Sequence, residues 1–181
     1  MTVEQNKIAV FDLDGTLVET DAANSEAYRV AMREYGMDLF GIYGRITSGV
    51  IQQIVGDEAK SAVNAIVDAK ISAYCHELWR SQLGAAAIDL KCVLVDRSAF
   101  GKLVLLTDSS ERRAMETLRH YGLVGFFDEI VCNGGHGDKY TNYFNNYDSD
   151  PAVCLVWENE EQQIMSAIAA GVKMENIRKV G

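Results

Sequence analysis

The chain is short of positive charge. It has 17 lysines and arginines against 26 aspartates and glutamates, which gives a formal net charge of −9. A surface with this balance repels polyanions, so nucleic acid and anionic membranes are disfavoured as main partners. A small anionic substrate stays compatible with it, because a bound cation and a few basic groups can reverse the electrostatic field at one site.

Long apolar runs and paired cysteine motifs are also missing. No run approaches the ~20 apolar residues that a membrane-spanning helix needs, and residues 1–6 lack the character of a signal peptide. The four cysteines are scattered, without a CxxC motif or a metal-ligand spacing. We therefore expect no membrane partner and a reducing, cytoplasmic location.

Segments rich in proline or serine are absent as well, and the chain contains a single proline. No linker composition therefore marks a domain boundary. The hydrophobic fraction of 48% in 181 residues indicates a globular protein with one good core and room for a small additional unit.

The most informative stretch is residues 8–17, in which an apolar run leads directly into two aspartates. Residues 8–11 are short, apolar and not alternating, which is typical of a strand buried on both faces. Asp12 then lies at the carboxyl end of the strand, Asp14 can lean to the same side, and Gly15 allows a turn. Two close carboxylates in a buried site need a cation or a shared proton, so the sequence proposes a site for Mg²⁺. The alternative is a pair of aspartates that caps a strand-to-loop turn.

Strand and helix patterns alternate through the rest of the chain. Further strands are expected at 103–106, 127–132, 152–156 and 177–180, and helices at 22–35, 48–55, 57–83, 88–100 and 160–170, with a helix after Ser109 or Ser110 that ends at Gly122 and a short one within 140–147. This alternation predicts an α/β fold with a doubly wound, Rossmann-like parallel sheet covered by helices on both faces.

The first two strands are separated by about ninety residues, many more than a strand–helix–strand unit requires. The insert has helical patterns only. The chain is therefore predicted to consist of an α/β core of residues 1–17 and 86–181 with a small all-helical domain of residues 18–85 inserted after the first strand.

Three later strand ends also carry polar groups. Thr107 ends an apolar strand before a helix, where a hydroxyl and free N–H groups can hold phosphate. Lys139 follows a glycine-rich loop and could neutralise both a phosphate and Asp12. Glu158 and Asn159 follow the fourth strand. Taken singly, each has a plainer interpretation: a helix cap, a solvated lysine and a helix-terminal acidic cluster.

The order of these groups resembles the motif order of the haloacid dehalogenase-like (HAD) hydrolase superfamily, beginning with Asp12-Leu13-Asp14-Gly15-Thr16. The helical insert is similar to the cap of the subfamily that contains phosphoglycolate phosphatases and β-phosphoglucomutases. The resemblance implies that Asp12 is the nucleophile and Asp14 the acid/base. The dehalogenase branch usually lacks the second aspartate, so Asp14 favours phosphoryl transfer.

The resemblance also implies the other site residues. Thr107 and Lys139 would hold the phosphoryl group, and Thr16 and Ser109 would contact the substrate. Arg45, in a cap loop, could bind a substrate carboxylate or a second phosphate. The implied Mg²⁺ ligands are four residues, Asp12, Asp14, Glu158 and Asn159.

The sequence departs from the family pattern at two positions. Tyr140 follows Lys139 where proline is frequent, and Asn159 stands where an aspartate is expected. An amide oxygen can bind Mg²⁺ but adds no charge.

The resulting hypothesis is a cytoplasmic, Mg²⁺-dependent phosphatase that acts on a small phosphorylated metabolite through an aspartyl phosphate. One alternative is a phosphosugar mutase similar to β-phosphoglucomutase. Another is a HAD-fold binding or regulatory protein with little or no catalysis, which the two departures favour. No oligomeric state is predicted.

Overall fold

The structure is a computed structural model that describes residues 7–56 and 60–181. Its strands are β1 (Lys7–Phe11), β2 (Val18–Glu19), β3 (Gln82–Leu83), β4 (Phe100–Thr107), β5 (Glu129–Cys132), β6 (Cys154–Glu158) and β7 (Ile177–Lys179). Its α-helices are α1 (Asp21–Glu34), α2 (Ser48–Val55), α3 (Lys60–Glu77), α4 (Ala86–Val95), α5 (Glu111–His120), α6 (Lys139–Asn146) and α7 (Glu161–Ala169). In the described ranges no helix has the length and apolarity to cross a membrane.

Five strands form a parallel sheet in the order β5-β4-β1-β6-β7. The chain proceeds from β1 outward to β5 on one side and then to β6 and β7 on the other. The sheet is therefore doubly wound, and the predicted α/β class is confirmed. Ligands bind such sheets at the carboxyl ends of the strands where the winding direction changes, which here is the end of β1.

Strand β1 is buried on both faces, as its uninterrupted apolar run predicts. Ala9 and Phe11 pack in a cluster with residues of α4 and α5, whereas Ile8 and Val10 pack in a second cluster with residues of α6 and α7. The Phe11 ring also stacks on Trp157 of β6, with ring centroids 4.2 Å apart. The indole N–H of Trp157 donates to Asp89 of α4 at 2.8 Å. Helices thus cover both faces of the sheet and pack against the strands whose ends carry the predicted site residues.

A compact helical unit comprises Glu19–Gln82, and a second compact unit comprises the chain up to Val18 and from Leu83 onward. In the helical unit, α1, α2 and α3 surround an apolar cluster of Tyr28, Ala31, Met32, Leu39, Ile46, Ile51 and Ile66. Thr47 caps α2 by accepting a hydrogen bond from the N–H of Val50. The predicted domain bounds lie within a few residues of this division, and the role of the helical unit as a cap stays a prediction.

Several element ends differ from the sequence prediction. The helix expected over 57–83 ends at Glu77, and Leu83 lies in β3; residues 57–59 are outside the described ranges. The helix expected to reach Phe100 ends at Val95, because Phe100 pairs with Lys7 and begins β4. The strands expected from residues 127 and 152 begin at Glu129 and Cys154, each after a 3₁₀ turn. Strand pairing in the sheet sets these element ends, and hydrophobic periodicity in the sequence carries no information about that pairing.

Candidate active site

The candidate site forms where β1, β4 and β6 end. Asp12 directly follows β1, and its backbone N–H donates to the carbonyl of Trp157 in β6 at 3.1 Å. Glu158 ends β6 on one side of Asp12, and Thr107 ends β4 on the other side. All three residues are buried, with at most 5% of the surface of each residue exposed. The parallel sheet therefore gathers the predicted groups along one edge.

Lys139 lies between the two buried carboxylates. Its ammonium is 2.7 Å from Oδ1 of Asp12 and 2.8 Å from Oε2 of Glu158. Lys139 is the first residue of α6, and its position is fixed because the Asp138 side chain caps that helix by accepting from the N–H of Thr141. Lys139 is therefore a buried cation shared by two strand ends, and the interpretation as a solvated surface lysine is wrong.

The charges of Lys139 and Glu158 influence the pKa of Asp12, and the charges of Asp12 and Glu158 influence the pKa of Lys139. Burial raises the pKa of Asp12, Lys139 lowers it, and Glu158 and Asp14 raise it further. Burial alone would lower the pKa of Lys139, but attraction by Asp12 and Glu158 more than offsets this and holds that pKa above its usual value. The net effect is that the pKa of Asp12 is raised to about 7 despite Lys139. Without Lys139 the site would hold two uncompensated carboxylates, so Lys139 is the group that favours the ionised, nucleophilic form of Asp12.

Glu158 is held by four donors. Oε2 accepts from the Tyr140 hydroxyl at 3.0 Å and contacts Lys139, and Oε1 accepts from the backbone N–H groups of Asn159 and Glu160 at 2.9 and 3.2 Å. The pKa of the buried Tyr140 hydroxyl is raised well above its usual value by burial and by the Glu158 carboxylate, so it stays protonated and donates. Tyr140 thus fixes Glu158 from the position after Lys139 where the family often has proline.

Asp14 is bound on both carboxylate oxygens. The Ser109 hydroxyl donates to Oδ2 at 2.5 Å, and the Arg113 guanidinium donates to Oδ1. Arg113 also donates to the Ser109 hydroxyl at 2.8 Å. The Thr107 hydroxyl in turn accepts from the backbone N–H of Ser109 at 3.1 Å. This network connects the end of β4 to Asp14.

The turn after Asp14 is closed by the side chain of Asn159. Gly15 has a φ of +79°, and a Cβ at this position would lie 2.2 Å from Nδ2 of Asn159. The buried Thr16 hydroxyl donates to Oδ1 of Asn159 at 3.1 Å. Glycine satisfies both the backbone conformation and the close approach. Gly15 therefore allows the Asn159 side chain, which follows β6, to pack against the Asp12-Leu13-Asp14-Gly15-Thr16 motif.

The family model described as "Haloacid dehalogenase-like hydrolase" matches residues 9–177, a range that contains all of these side chains. The chain belongs to this family. The resemblance of the Asp12-Leu13-Asp14-Gly15-Thr16 motif is therefore confirmed, and the chain is a HAD-like phosphohydrolase, of the phosphatase or phosphomutase kind.

Named relatives cover most of the chain. The fructose-1-phosphate phosphatase YqaB of Escherichia coli is 26% identical over 93% of this chain and 95% of its own. The structure of CbbY from Rhodobacter sphaeroides in complex with xylulose-1,5-bisphosphate has a TM-score of 0.71 at 18% identity, covering 93% of this chain and 84% of its own. A β-phosphoglucomutase from Thermotoga maritima has a TM-score of 0.65 at 21% identity, covering 96% and 84%. The likeness to these two structures concerns the fold.

HAD-like phosphatases generally use a divalent metal ion, and the donors here fit one in kind. The Asp12 carboxylate and the Asn159 amide oxygen are hard oxygen donors of the type that Mg²⁺ prefers. All four predicted ligands have side-chain partners in the protein: Glu158 and Asp14 on both carboxylate oxygens, Asp12 on Oδ1 from Lys139 and Asn159 on Oδ1 from Thr16. The roles of Asp14 and Glu158 as ligands stay predictions. Within the described ranges no three His, Cys, Asp or Glu side chains are grouped to hold a metal.

Arg45 belongs to the helical unit. Its Nε lies 3.4 Å from Oδ1 of Asp21, and about half of each side chain is exposed. Both residues line an open cavity of about 490 Å³ together with Arg29, Glu26 and Arg80. The cavity contains both signs of charge, and the substrate-binding role of Arg45 stays a prediction.

Sequence reasoning missed two residues of this HAD site. Arg113 follows Ser109 by four residues and donates to its hydroxyl, but no sequence signal indicated its contact with Asp14. In the sequence, Tyr140 stands out only as a departure from the family pattern. In the structure it is buried in the core and its hydroxyl binds Glu158. Its position directly after the site lysine was the available signal.

Proposed function

We propose that the protein is a phosphatase of small phosphorylated sugars that works through an aspartyl phosphate on Asp12. One observation carries the proposal: the carboxylate of Asp12 is buried at the switch point of the sheet, and the Lys139 ammonium lies 2.7 Å from its Oδ1. A buried, charge-compensated carboxylate in the first motif is the arrangement that nucleophilic attack on phosphorus requires. The fructose-1-phosphate activity in the name of the E. coli relative supports a sugar phosphate as substrate.

In the first step an oxygen of Asp12 attacks phosphorus and the bond from phosphorus to the ester oxygen breaks. The leaving alkoxide is a strong base, so it needs a proton, and Asp14 is placed two residues along the same turn to donate one. In the second step water attacks the aspartyl phosphate, Asp14 accepts a proton from that water, and the P–O bond to Asp12 breaks. Free phosphate, the alcohol and the original carboxylate result.

Lys139 and Thr107 stabilise the transferring group. Negative charge accumulates on the phosphoryl oxygens during transfer, and the buried ammonium of Lys139 opposes it without the cost of reorienting water. Thr107 lies at the end of β4 directly before the turn into α5, where backbone N–H groups and its hydroxyl can contact a phosphoryl oxygen. Tyr140 and Glu158 act indirectly by fixing the ammonium.

A divalent cation, which we propose to be Mg²⁺, would be held by Asp12 and Asn159. When bound, it would supply positive charge to the phosphoryl oxygens and reduce their repulsion of the attacking carboxylate. Because Asn159 is neutral, we expect the affinity for the cation to be lower than with an aspartate at this position.

The experiment is a turnover screen of sugar phosphates, including fructose 1-phosphate, with Mg²⁺ and with EDTA. Wild-type protein is compared with Asp12→Asn and with the matched exposed control Asp38→Asn. We expect phosphate release by the wild type and by Asp38→Asn, and none by Asp12→Asn. Acid quenching during turnover should leave one phosphoryl group on the peptide that contains Asp12. Turnover that survives Asp12→Asn defeats the nucleophile assignment.

The same screen separates the two rival functions. A mutase returns the phosphoryl group to the sugar, so an isomeric sugar phosphate would accumulate and free phosphate would not. A binding or regulatory protein, which Asn159 and Tyr140 favoured at the level of sequence, would release nothing from any substrate while still binding one.

A further inference from the structure

A partly buried arginine occupies an unfavourable position in α5. Arg113 is the third residue of this helix, and only 16% of its side chain is exposed. The N-terminal turn of a helix carries partial positive charge, so a cation there is disfavoured by the helix dipole. Burial adds to this cost unless the charge is paired. The position therefore requires a compensating anion.

Asp14 supplies that anion from a different strand end. Arg113 donates to one carboxylate oxygen of Asp14, and Ser109, which lies just before the N-cap residue of α5, donates to the other. Arg113 also binds the Ser109 hydroxyl at 2.8 Å. The three side chains form a closed triangle of hydrogen bonds, and a carboxylate bound on both oxygens by two connected donors has one defined orientation.

We propose that Arg113 is a positioning residue that fixes the carboxyl group of Asp14 for proton exchange with the leaving-group oxygen. The inference rests on the proposed function, since it assigns Arg113 a part in the acid/base role of Asp14. Lys139 cannot perform this task, because its ammonium lies between Asp12 and Glu158. The two cations of the site therefore contact different carboxylates. Lys139 contacts the proposed nucleophile Asp12, and Arg113 contacts the proposed acid/base Asp14.

The role predicts a dependence on the leaving group. An alkyl phosphate releases a strongly basic alkoxide and needs a well-placed proton, whereas p-nitrophenyl phosphate releases a stabilised phenolate that needs little protonation. Removal of Arg113 should therefore slow the first substrate much more than the second. A merely structural role of Arg113 would lower the rates of both substrates together.

The test compares Arg113→Ala, Arg113→Lys and the exposed neighbour Arg112→Ala. For a sugar phosphate that the wild type hydrolyses, we expect kcat to fall by about tenfold or more in Arg113→Ala, and for p-nitrophenyl phosphate by less than about threefold, with KM nearly unchanged. Arg113→Lys and added guanidinium ion should each restore part of the lost kcat. Arg112→Ala should match the wild type. Equal losses on both substrates, or no loss, would overturn the proposal.

A second measurement is independent of turnover. Urea unfolding midpoints of Arg113→Ala, Asp14→Asn and the double variant form a double-mutant cycle, and the pairing predicts that the two effects are not additive. Additive effects would overturn the pairing itself. If the wild type turns over no phosphate ester while the cycle shows coupling, the proposed function fails and the Arg113–Asp14 pair stands.

Discussion

Replacement of Lys139 by methionine removes the ammonium and keeps a side chain of similar length. Lys139, Asp12 and Glu158 are each at most 7% exposed at the side chain, and the single cation serves both carboxylates. Loss of one partner from a buried ion pair typically costs about 3–5 kcal/mol, because it leaves an uncompensated buried charge. A folded domain is stable by only about 5–15 kcal/mol. We therefore expect Lys139→Met to lose about a fifth or more of the free energy of unfolding near neutral pH.

The sign of the pH dependence follows from the same contacts. Lys139 lowers the pKa of Asp12 and burial raises it, so the pKa of Asp12 in the variant must lie higher than in the wild type. A carboxyl whose pKa is raised in the folded state favours folding at low pH and loses that contribution as pH increases through the folded pKa. The pKa of Asp12 is about 7 in the wild type and higher in the variant. The stability difference between wild type and variant should therefore grow as pH rises through and above about 7 and change little at lower pH.

Urea unfolding at several pH values measures this difference. Lys102→Met is the matched control, since Lys102 pairs with Glu129 at 2.5 Å but is about a third exposed. An exposed pair is worth roughly 0–1 kcal/mol, so this control should lose little. A Lys139→Met loss below about 1 kcal/mol, or a larger loss that stays constant across pH, would refute the assignment of Lys139 as the compensating cation of two buried carboxylates.

Three further outcomes are expected. Gly15→Ala should lower the free energy of unfolding by about 1–3 kcal/mol, because it forces positive φ and meets the Asn159 amide at 2.2 Å; the helical control Gly49→Ala should stabilise by about 0.5–1 kcal/mol in the same urea titration. Asn159→Asp should bind Mg²⁺ about tenfold or more tightly by isothermal titration calorimetry, and equal affinity would remove Asn159 from the ligand set. Cys154, whose pKa burial raises to about 12, should react with iodoacetamide near pH 8 far more slowly than the exposed Cys92; mass spectrometry of the labelled peptides decides this.

Much of the core fold follows from residue order. Strand β1 was predictable because its apolar run is uninterrupted, and its two aspartates then fall at the strand end by counting. Thr107 and Glu158 could be assigned to the same edge from sequence because the carboxyl ends of parallel strands meet at one edge of a sheet. The structure places both of their strands beside β1. The ends of β4 and α4 were not predictable, since Phe100 is equally acceptable in a helix and in a strand until its pairing with Lys7 is known.

The contacts among the site residues were less accessible to sequence reasoning. That Lys139 would approach Asp12 was foreseen, but its shared contact with Glu158 depends on the direction in which α6 leaves the loop. Arg113 was missed because a sequence pattern treats an arginine in a helix as exposed unless a partner is known. Its partner, Asp14, lies 99 positions earlier in the chain, and nothing local connects the two.

The stack of Phe11 and Trp157 gives the protein a built-in optical reporter. The chain has only two tryptophans, and Trp79 is 66% exposed whereas Trp157 is 4% exposed. Trp157 accepts the N–H of Asp12 at its carbonyl and directly precedes Glu158. A Trp79→Phe variant would therefore emit from one buried indole that is joined through the main chain to both carboxylates on either side of Lys139. Ligand binding and unfolding at this edge of the sheet could then be followed by intrinsic fluorescence, with no label attached to the site.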